Sequence, residues 1–566
     1  MADDDVRAGG PLPKGWSWRD RAKGTIPEGV LLDPAAEPID GLEVFPTVYV
    51  PSRLLVSGGP DGKLLGGGFD TVVKAAEQFG WSAKRELLDG TPLDGDEVPR
   101  SEVPGTPVVV RVRLEATPHD DRTGAVSPGM PDAWRVLQQI RRDVLFDEKG
   151  NDLSKGDREA RARLLKDAGA DRIGLDHVLT VDPIGINPFA KTNPYARTNP
   201  YAKTNPYAKT NPYAKTNPVS EYGDSGSGGR QPVSWIGPDL PRTRLTDGTR
   251  RRAVVAVLDT GAGDHWWLDG VVNREVTLDG RPVGLHDDAN PEYYPDLYGP
   301  LDGELDPVAG HGTFIAGIIR QAAPEADILA IRVADALGVV EETNLLQVLR
   351  DLVVLVQRHR DGVHGGQAID VLNMSLGYYH ETPEDGLYTH DLYDLLTQLR
   401  ALGTVVVVSA GNDAIDRPTF PASLWRWPGS DNGLPDDDYA KHLSVGALNP
   451  NGTTALFSNV GPWVRRYARG ASVVSILPAF TGGIQASARD DEYDRQRLTI
   501  GPEDYRGGFA VWSGTSFAAP LVAGRVAARL HTRPLQAEPV ADAVKDAAAA
   551  VDAVLSGPEV KLGAAD

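Results

Sequence analysis

The chain has 566 residues, a formal net charge of -21, 41% apolar residues and no cysteine. Disulfides and thiolate metal sites are excluded, so packing must supply the stability. The acidic balance argues against nucleic acid and anionic lipid as partners, and no apolar run reaches the roughly 18 residues that would span a membrane.

The opening MADDDVRAGGPLPKGW carries three acids and no apolar stretch, so it does not read as a secretory signal. A cytoplasmic location is expected, with non-classical export left open. Residues 1–43 are rich in Pro, Gly and charge and form a flexible amino-terminal extension, in which Trp16 and Trp18 are the groups able to dock. Over 44–183 the pattern runs strand (VFPTVYV), helix (GFDTVVKAAEQFGW), strand (AKRELLDG), strand (PVVVRVRLEA), helix (DAWRVLQQIRRDVL) and strand (DHVLTVDP), with a charged helical insertion before the last. That β-α-β-β-α-β order predicts a ferredoxin-like α+β unit.

Residues 184–229 hold a repeat. NPFAKT, NPYART and three copies of NPYAKT run from Asn187 to Thr216, and a glycine-serine linker closes the segment at Asp224 to Gly229. A proline at every sixth position forbids helix, and each hexad adds one cation (Lys191, Arg197, Lys203, Lys209, Lys215) and no acid.

From 230 to 566 apolar strands alternate with amphipathic helices and end in a helical tail. Strands that are apolar throughout are covered on both faces, which predicts a doubly wound parallel α/β sheet. In such sheets chemistry sits at the carboxyl ends of the strands. Asp259 ends the strand VAVLDTG, His311 opens the helix of GHGTFIAG, and Ser516 lies at the mouth of the helix in GTSFAAPLVAG. Each alone has an ordinary reading as a turn, a structural histidine or a helix cap. Together they supply a hydroxyl nucleophile, an imidazole to take its proton and a carboxylate to orient the imidazole. Asn412, at the end of VVVVSAGN, adds a side-chain amide that can face a developing oxyanion beside the Ser516 N–H.

These four motifs, in Asp-His-Ser order over about residues 250 to 532, resemble the subtilisin-like serine peptidases, the subtilases. NMSLG (373–377) and FSNVGPWVRRYARG (457–470) are similar to two further family segments. The resemblance implies a serine endopeptidase with Asp259, His311 and Ser516 as catalytic residues and Asn412 in the oxyanion hole. It implies that Ser375, Leu376 and Gly377 form one wall of the pocket for the substrate side chain, and Ser409, Ala410 and Gly411 the other, with a polypeptide substrate paired between them as an added strand. No cofactor and no metal are expected. The run GIIRQAAPEADILAIRV passes from helix to strand without the calcium loop that many secreted members insert there.

The ferredoxin-like unit resembles the propeptide domain that assists subtilase folding and then inhibits the enzyme. Self-cleavage between it and the catalytic unit is therefore expected, with this unit and the hexads as the chain's own partners. Two other readings stay open: a peptide-binding pseudoprotease, and a protease-fused precursor that releases the hexads. The hexads also read as a plain spacer. Between Asp259 and His311 lies an acidic, aromatic insertion, DDANPEYYPDLYGPLDGELD, read as a solvated loop or as a rim that attracts basic substrate.

Overall fold

A computed structural model describes residues 29–58, 63–93, 103–117, 129–181, 229–297, 305–382, 390–430, 434–482, 488–490, 493, 495–557 and 560–562. Trp16, Trp18 and the hexads lie outside the described residues. Residues 29–43 of the expected flexible extension are instead packed: Leu31 pairs antiparallel with Val48, and Leu32, Ile39 and Leu42 are buried in the amino-terminal core, because their apolar side chains find that core within reach.

The amino-terminal unit contains β1 (Val48–Gly58), α1 (Lys63–Glu77), β2 (Trp81–Glu86), β3 (Val108–Ala116), α2 (Ala133–Leu145), α3 (Arg158–Asp167) and β4 (Ile173–Thr180). Its sheet runs β4-β1-β3-β2 with every neighbouring pair antiparallel, which is the ferredoxin-like arrangement. Several boundaries differ from expectation: β1 begins at Val48 and runs on to Gly58, α1 begins at Lys63, and β4 spans Ile173–Thr180. Trp81 opens β2 instead of closing α1, because Gly80 takes φ 73° and stops the helix before it.

Alternation along these strands serves two cores. Leu54, Val56, Val110 and Val112 pack on Val72, Ala76, Trp134, Leu137 and Ile140 of α1 and α2. Leu55, Val109 and Leu179 point the other way and join the core of the second unit.

That second unit contains β5 (Val254–Asp259), β6 (Val272–Asn273), α4 (His311–Ala322), β7 (Asp327–Arg332), β8 (Val339–Glu341), α5 (Glu342–Arg360), β9 (Val371–Met374), α6 (His390–Ala401), β10 (Val405–Ser409), β11 (His442–Leu448), β12 (Arg466–Arg469), α7 (Thr515–Leu530), α8 (Val540–Leu555) and β13 (Val560–Leu562). The main sheet has the order β13-β12-β11-β10-β9-β5-β7-β6 and is parallel except for β13. Val254, Ala256, Leu258, Leu372, Val406 and Val408 face Leu345, Leu349, Leu392 and Leu396 of α5 and α6. Val255, Val257, Val371, Val405 and Val407 face Ile315, Ile319, Val522, Val526 and Val551 of α4, α7 and α8. The strands are thus buried on both faces, which explains their unbroken apolar runs.

The two units meet along α5 and α6, which fill the open face of the amino-terminal sheet. β8 extends that sheet by pairing antiparallel with β4, Val340 opposite Leu179. Asp176 of β4 accepts the Thr343 N–H at 3.1 Å, so the amino-terminal unit caps α5, whose preceding residue Glu341 makes no side-chain cap. Arg53 pairs with Glu341 at 2.6 Å. Buried between the units, His177 places Nδ1 2.6 Å from Glu342 and Nε2 2.8 Å from Glu381. Among the described residues no helix is long and apolar enough to cross a membrane.

Candidate active site

Asp259 is the last residue of β5 and His311 the first of α4, while Ser516 stands in the first turn of α7. All three are buried. The central position of β5 in the sheet brings its carboxyl end against the amino-terminal ends of both helices. Asp259 Oδ1 accepts the His311 Nδ1–H at 2.7 Å and the Thr260 N–H at 2.8 Å. This pairing sets the imidazole tautomer, with Nε2 left as the acceptor. Trp512 and Phe517 wall the ring, with centroids 5.4 and 5.2 Å from it. His311 Nε2 and Ser516 Oγ each make no hydrogen bond at rest.

Gly312, after the histidine, is required by a close approach. A Cβ there would lie 2.1 Å from the carbonyl oxygen of Gly261, so the loop leaving β5 could not lie against α4 with any larger residue.

Ser516 is tied to β9 through its backbone. Pro520 sits inside α7 and has no N–H to return to the carbonyl four residues earlier, that of Ser516. The freed carbonyl accepts the Ser375 hydroxyl at 3.0 Å, and Asn373 Nδ2 donates to Ser375 Oγ at 3.2 Å. Asn412 is oriented in the same neighbourhood. Its Oδ1 accepts the Thr515 N–H at 2.8 Å and the Thr515 hydroxyl at 2.9 Å, which holds the side-chain amide at the start of α7. A helix amino terminus carries unpaired N–H groups and partial positive charge, and Ser516 supplies one of those groups.

The two expected wall segments continue adjacent parallel strands, since Met374 pairs with Val408. Leu376 is buried, and Gly377 exchanges backbone hydrogen bonds with Thr180 at 3.0 and 3.1 Å. Val181 N–H donates to Gly338 O at 2.7 Å. The end of β4 therefore lies between Gly377 and Gly338 as an added strand. On the other side Ser409 ends β10, the Ala410 carbonyl accepts Asn459 Nδ2 at 2.9 Å, and the Gly411 N–H reaches Thr515 Oγ1 at 3.1 Å.

The structure thus brings all ten expected site residues to neighbouring strand and helix ends. Sequence reasoning missed three that hold them. Thr515 lies in the motif already noted, and Asn459 lies in FSNVGP, a segment singled out without a role for its asparagine. Glu292 carries no local signal, being one acid among many in the insertion.

His177, His380 and Glu381 place candidate metal-ligand atoms within 4.8 Å of one another. Both ring nitrogens of His177 are already engaged by carboxylates, so these contacts form an ionic cluster. Burial alone would push His177 down, but Glu342 and Glu381 outweigh it and hold it at about 10. Burial pushes His380 down to about 3.

A profile of the subtilase family, peptidase family S8, matches residues 250–557. The chain is 28% identical over 292 residues to an intracellular serine protease of Paenibacillus polymyxa, covering 49% of this chain and 67% of that one. It is 28% identical over 307 residues to the serine protease AprX of Bacillus subtilis (strain 168), covering 50% and 58%. With subtilisin-like protease 5 of Trichophyton verrucosum the identity is 29% over 279 residues, covering 47% and 53%. The matches thus span about half to two thirds of these relatives. Among solved structures, a lanthipeptide protease aligns at 22% identity with a TM-score of 0.34, covering 51% of this chain and 77% of that one. A family match that takes in more than half of the 566 residues, and all ten expected site residues, places this chain in the subtilase family.

Proposed function

We propose that the chain is a serine endopeptidase in which Asp259, His311 and Ser516 act as the triad and Asn412 completes the oxyanion hole. The observation that carries this reading is the 2.7 Å bond from His311 to Asp259, with Asn412 bonded to Thr515, the residue before Ser516, at the start of α7. As Ser516 Oγ bonds to the scissile carbonyl carbon, its proton passes to His311 Nε2 and the carbonyl electron pair moves onto oxygen. The Ser516 N–H and Asn412 Nδ2 face that charge, and Asp259 stabilises the imidazolium. Re-forming the carbonyl breaks the C–N bond, and the amine leaves with the proton from Nε2. Water then gives a proton to Nε2 as its oxygen attacks the ester. Expelled Ser516 Oγ takes that proton back, releasing the acid. A catalytic hydrogen bond absent at rest is consistent with this role, because such bonds often tighten only around substrate.

We further propose that Ser375 to Gly377 and Ser409 to Gly411 receive the substrate backbone, and that the chain cuts itself between its two units. The Thr180–Gly377 pairing supports this, since β4 already delivers the chain into the groove in the extended form a substrate adopts. The amino-terminal unit then acts as a propeptide. The intracellular serine protease among the relatives supports a cytoplasmic setting. Recovery of a tagged chain mainly from the culture medium would overturn that location.

The activity is tested by incubating purified wild type and Ser516→Ala with denatured casein and a peptide library. Hydrolysis by the wild type alone is expected. Equal rates in both would sink the assignment.

A further inference from the structure

The insertion between Asp259 and His311 is rich in acids, yet one of them is neither solvated nor on a rim. Glu292 is only 1% exposed. Its Oε1 accepts the Thr260 hydroxyl at 2.5 Å and the Gly312 N–H at 2.9 Å, while Oε2 accepts the Thr313 hydroxyl at 2.5 Å. Thr260 follows Asp259, and Gly312 and Thr313 follow His311. Thr313 Oγ1 in turn receives the Gly263 N–H at 2.7 Å, and Thr260 Oγ1 receives the Gly312 N–H at 2.8 Å. One carboxylate therefore clasps the loop leaving β5 to the first turn of α4.

We propose that Glu292 is a positioning residue of the triad: its carboxylate holds Thr260 beside Asp259 and fixes the helix turn that carries His311. The inference rests on the peptidase reading above and adds a residue to it.

Two observations separate this role from that of an ordinary helix cap. First, α4 begins after Gly310 with no side-chain cap of its own, and a neutral Ser, Asn or Gln would satisfy its N–H groups without burying a charge. Here a carboxylate is buried close to a second one. Burial, and then the charge of Asp259, raise Glu292 above the usual carboxylate range, while the Thr260 and Thr313 hydroxyls and the Gly312 N–H oppose that rise. Among the described residues, other charged groups also face it. Arg230, held by the carbonyl of Asp306 at 2.8 Å and that of Ala309, interacts with Glu292 from one side. Arg332 comes from β7 and is itself paired with Asp287 at 2.5 Å, and Tyr293 follows on the same loop. His311 lies on α4 directly before Gly312.

Second, the hydroxyl proton of Thr260 has two claimants. Asp259 Oδ1 is 3.1 Å from the hydroxyl and Glu292 Oε1 is 2.5 Å from it. A single proton serves one acceptor, and the shorter contact takes it. While ionised, Glu292 thus withholds a donor from Asp259 and keeps the charge of Asp259 available to the imidazolium. A glutamine at 292 can donate to Thr260 Oγ1 and turn the hydroxyl toward Asp259, which weakens that support.

The test uses the full chain. Wild type, Glu292→Gln, Glu292→Asp and Thr260→Val are compared by peptide hydrolysis and by the rate at which an organophosphorus fluoridate labels Ser516, both across pH, with melting curves to establish folding. For Glu292→Gln, kcat and labelling should fall about tenfold with KM nearly unchanged. Its acid limb should move to lower pH by about half a unit, because a negative charge and its effect on Asp259 are removed. Glu292→Asp keeps the charge but shortens the reach, so it should lose rate without moving the acid limb. A folded Glu292→Gln protein with wild-type kcat and pH profile per labelled site overturns the inference, even if its melting temperature falls. Should that variant not fold, Thr260→Val decides: a tenfold loss of kcat supports the clasp, and an unchanged kcat overturns it. A wild-type chain that neither cleaves peptide nor takes the label would overturn the peptidase reading itself.

Discussion

In the proposed mechanism Ser516, His311 and Asp259 act as a unit, so removing one member should cost nearly as much as removing several. Ser516→Ala or His311→Ala is expected to lower kcat by roughly 10⁶-fold with the melting temperature little changed, as single-turnover and calorimetric measurements would show. Asn412→Ala should cost about 10² to 10³ in kcat at nearly constant KM, since its amide meets charge only in the transition state. A large rise in KM instead would mean that the side chain binds ground-state substrate. Residue by residue, Asp259, His311, Ser516 and Asn412 could be found in the sequence because each lies in a short run of small residues at an element boundary. Glu292 and Asn459 could not. Their partners lie 20 or more positions away in the chain, and only burial distinguishes them from other polar residues.

Elements, more than single side chains, determine how the two units hold together. The last strand of the amino-terminal sheet caps α5 through Asp176, pairs with β8 and buries His177 between Glu342 and Glu381. Because docking raises His177 from its free value of 6.5 to about 10, its contribution is full below about 6.5 and is lost as pH rises through 10. Burial raises Asp176 to about 6 and Asp391 to about 7, which also favours docking on the acid side. His380 opposes them. It is held down to about 3, so its contribution is present above 6.5 and lost toward acid pH. Burial would raise Glu381, but His380, His177 and Arg141 together hold it below the usual carboxylate range. The separated amino-terminal unit should therefore bind the Ser516→Ala catalytic unit more weakly as pH rises from about 7 to 10, by up to about tenfold per unit. Titration calorimetry would show it, and affinity that is flat over this range would contradict the account. His177→Gln should flatten the dependence. The α4 boundary makes a second demand: Gly312→Ala should destabilise by about 3 kcal/mol or more, read by denaturant unfolding, because backbone opposes the new methyl.

For the whole molecule the expected outcome is self-cleavage. Thr180 and Val181 pair with Gly377 and Gly338 beside the proposed substrate groove, and the chain then continues into the segment that carries the hexads. Intact mass spectrometry of the wild type should reveal cuts within about residues 182 to 229, and a ladder spaced by one hexad if processing falls in the repeat. The Ser516→Ala chain should stay whole. Proline directly after a scissile bond obstructs attack, so the Asn-Pro bonds should survive while cuts after Tyr, Ala, Lys or Thr are open. A wild-type chain that remains intact while hydrolysing added peptide would refute self-cleavage and leave the hexads as a tether.

Periodicity by itself determined the two architectures, because a strand buried on both faces must be apolar throughout and an exposed helix face must be polar. Tertiary structure decided what periodicity cannot carry. Val339–Glu341 and Val560–Leu562 are three-residue strands, too short for a pattern, and exist because β4 and β12 offer them an edge. Trp81 follows an apolar helical pattern, but Gly80 with its positive φ ends that helix first and leaves Trp81 to open β2. The freed carbonyl of Ser516 finds its donor in Ser375, 141 positions away, and the charge of Glu292 finds Thr260 at a distance of 32. A sequence displays the chemistry each residue can perform. Which residues come close enough to perform it depends on contacts between distant segments, and these form only when the chain is packed.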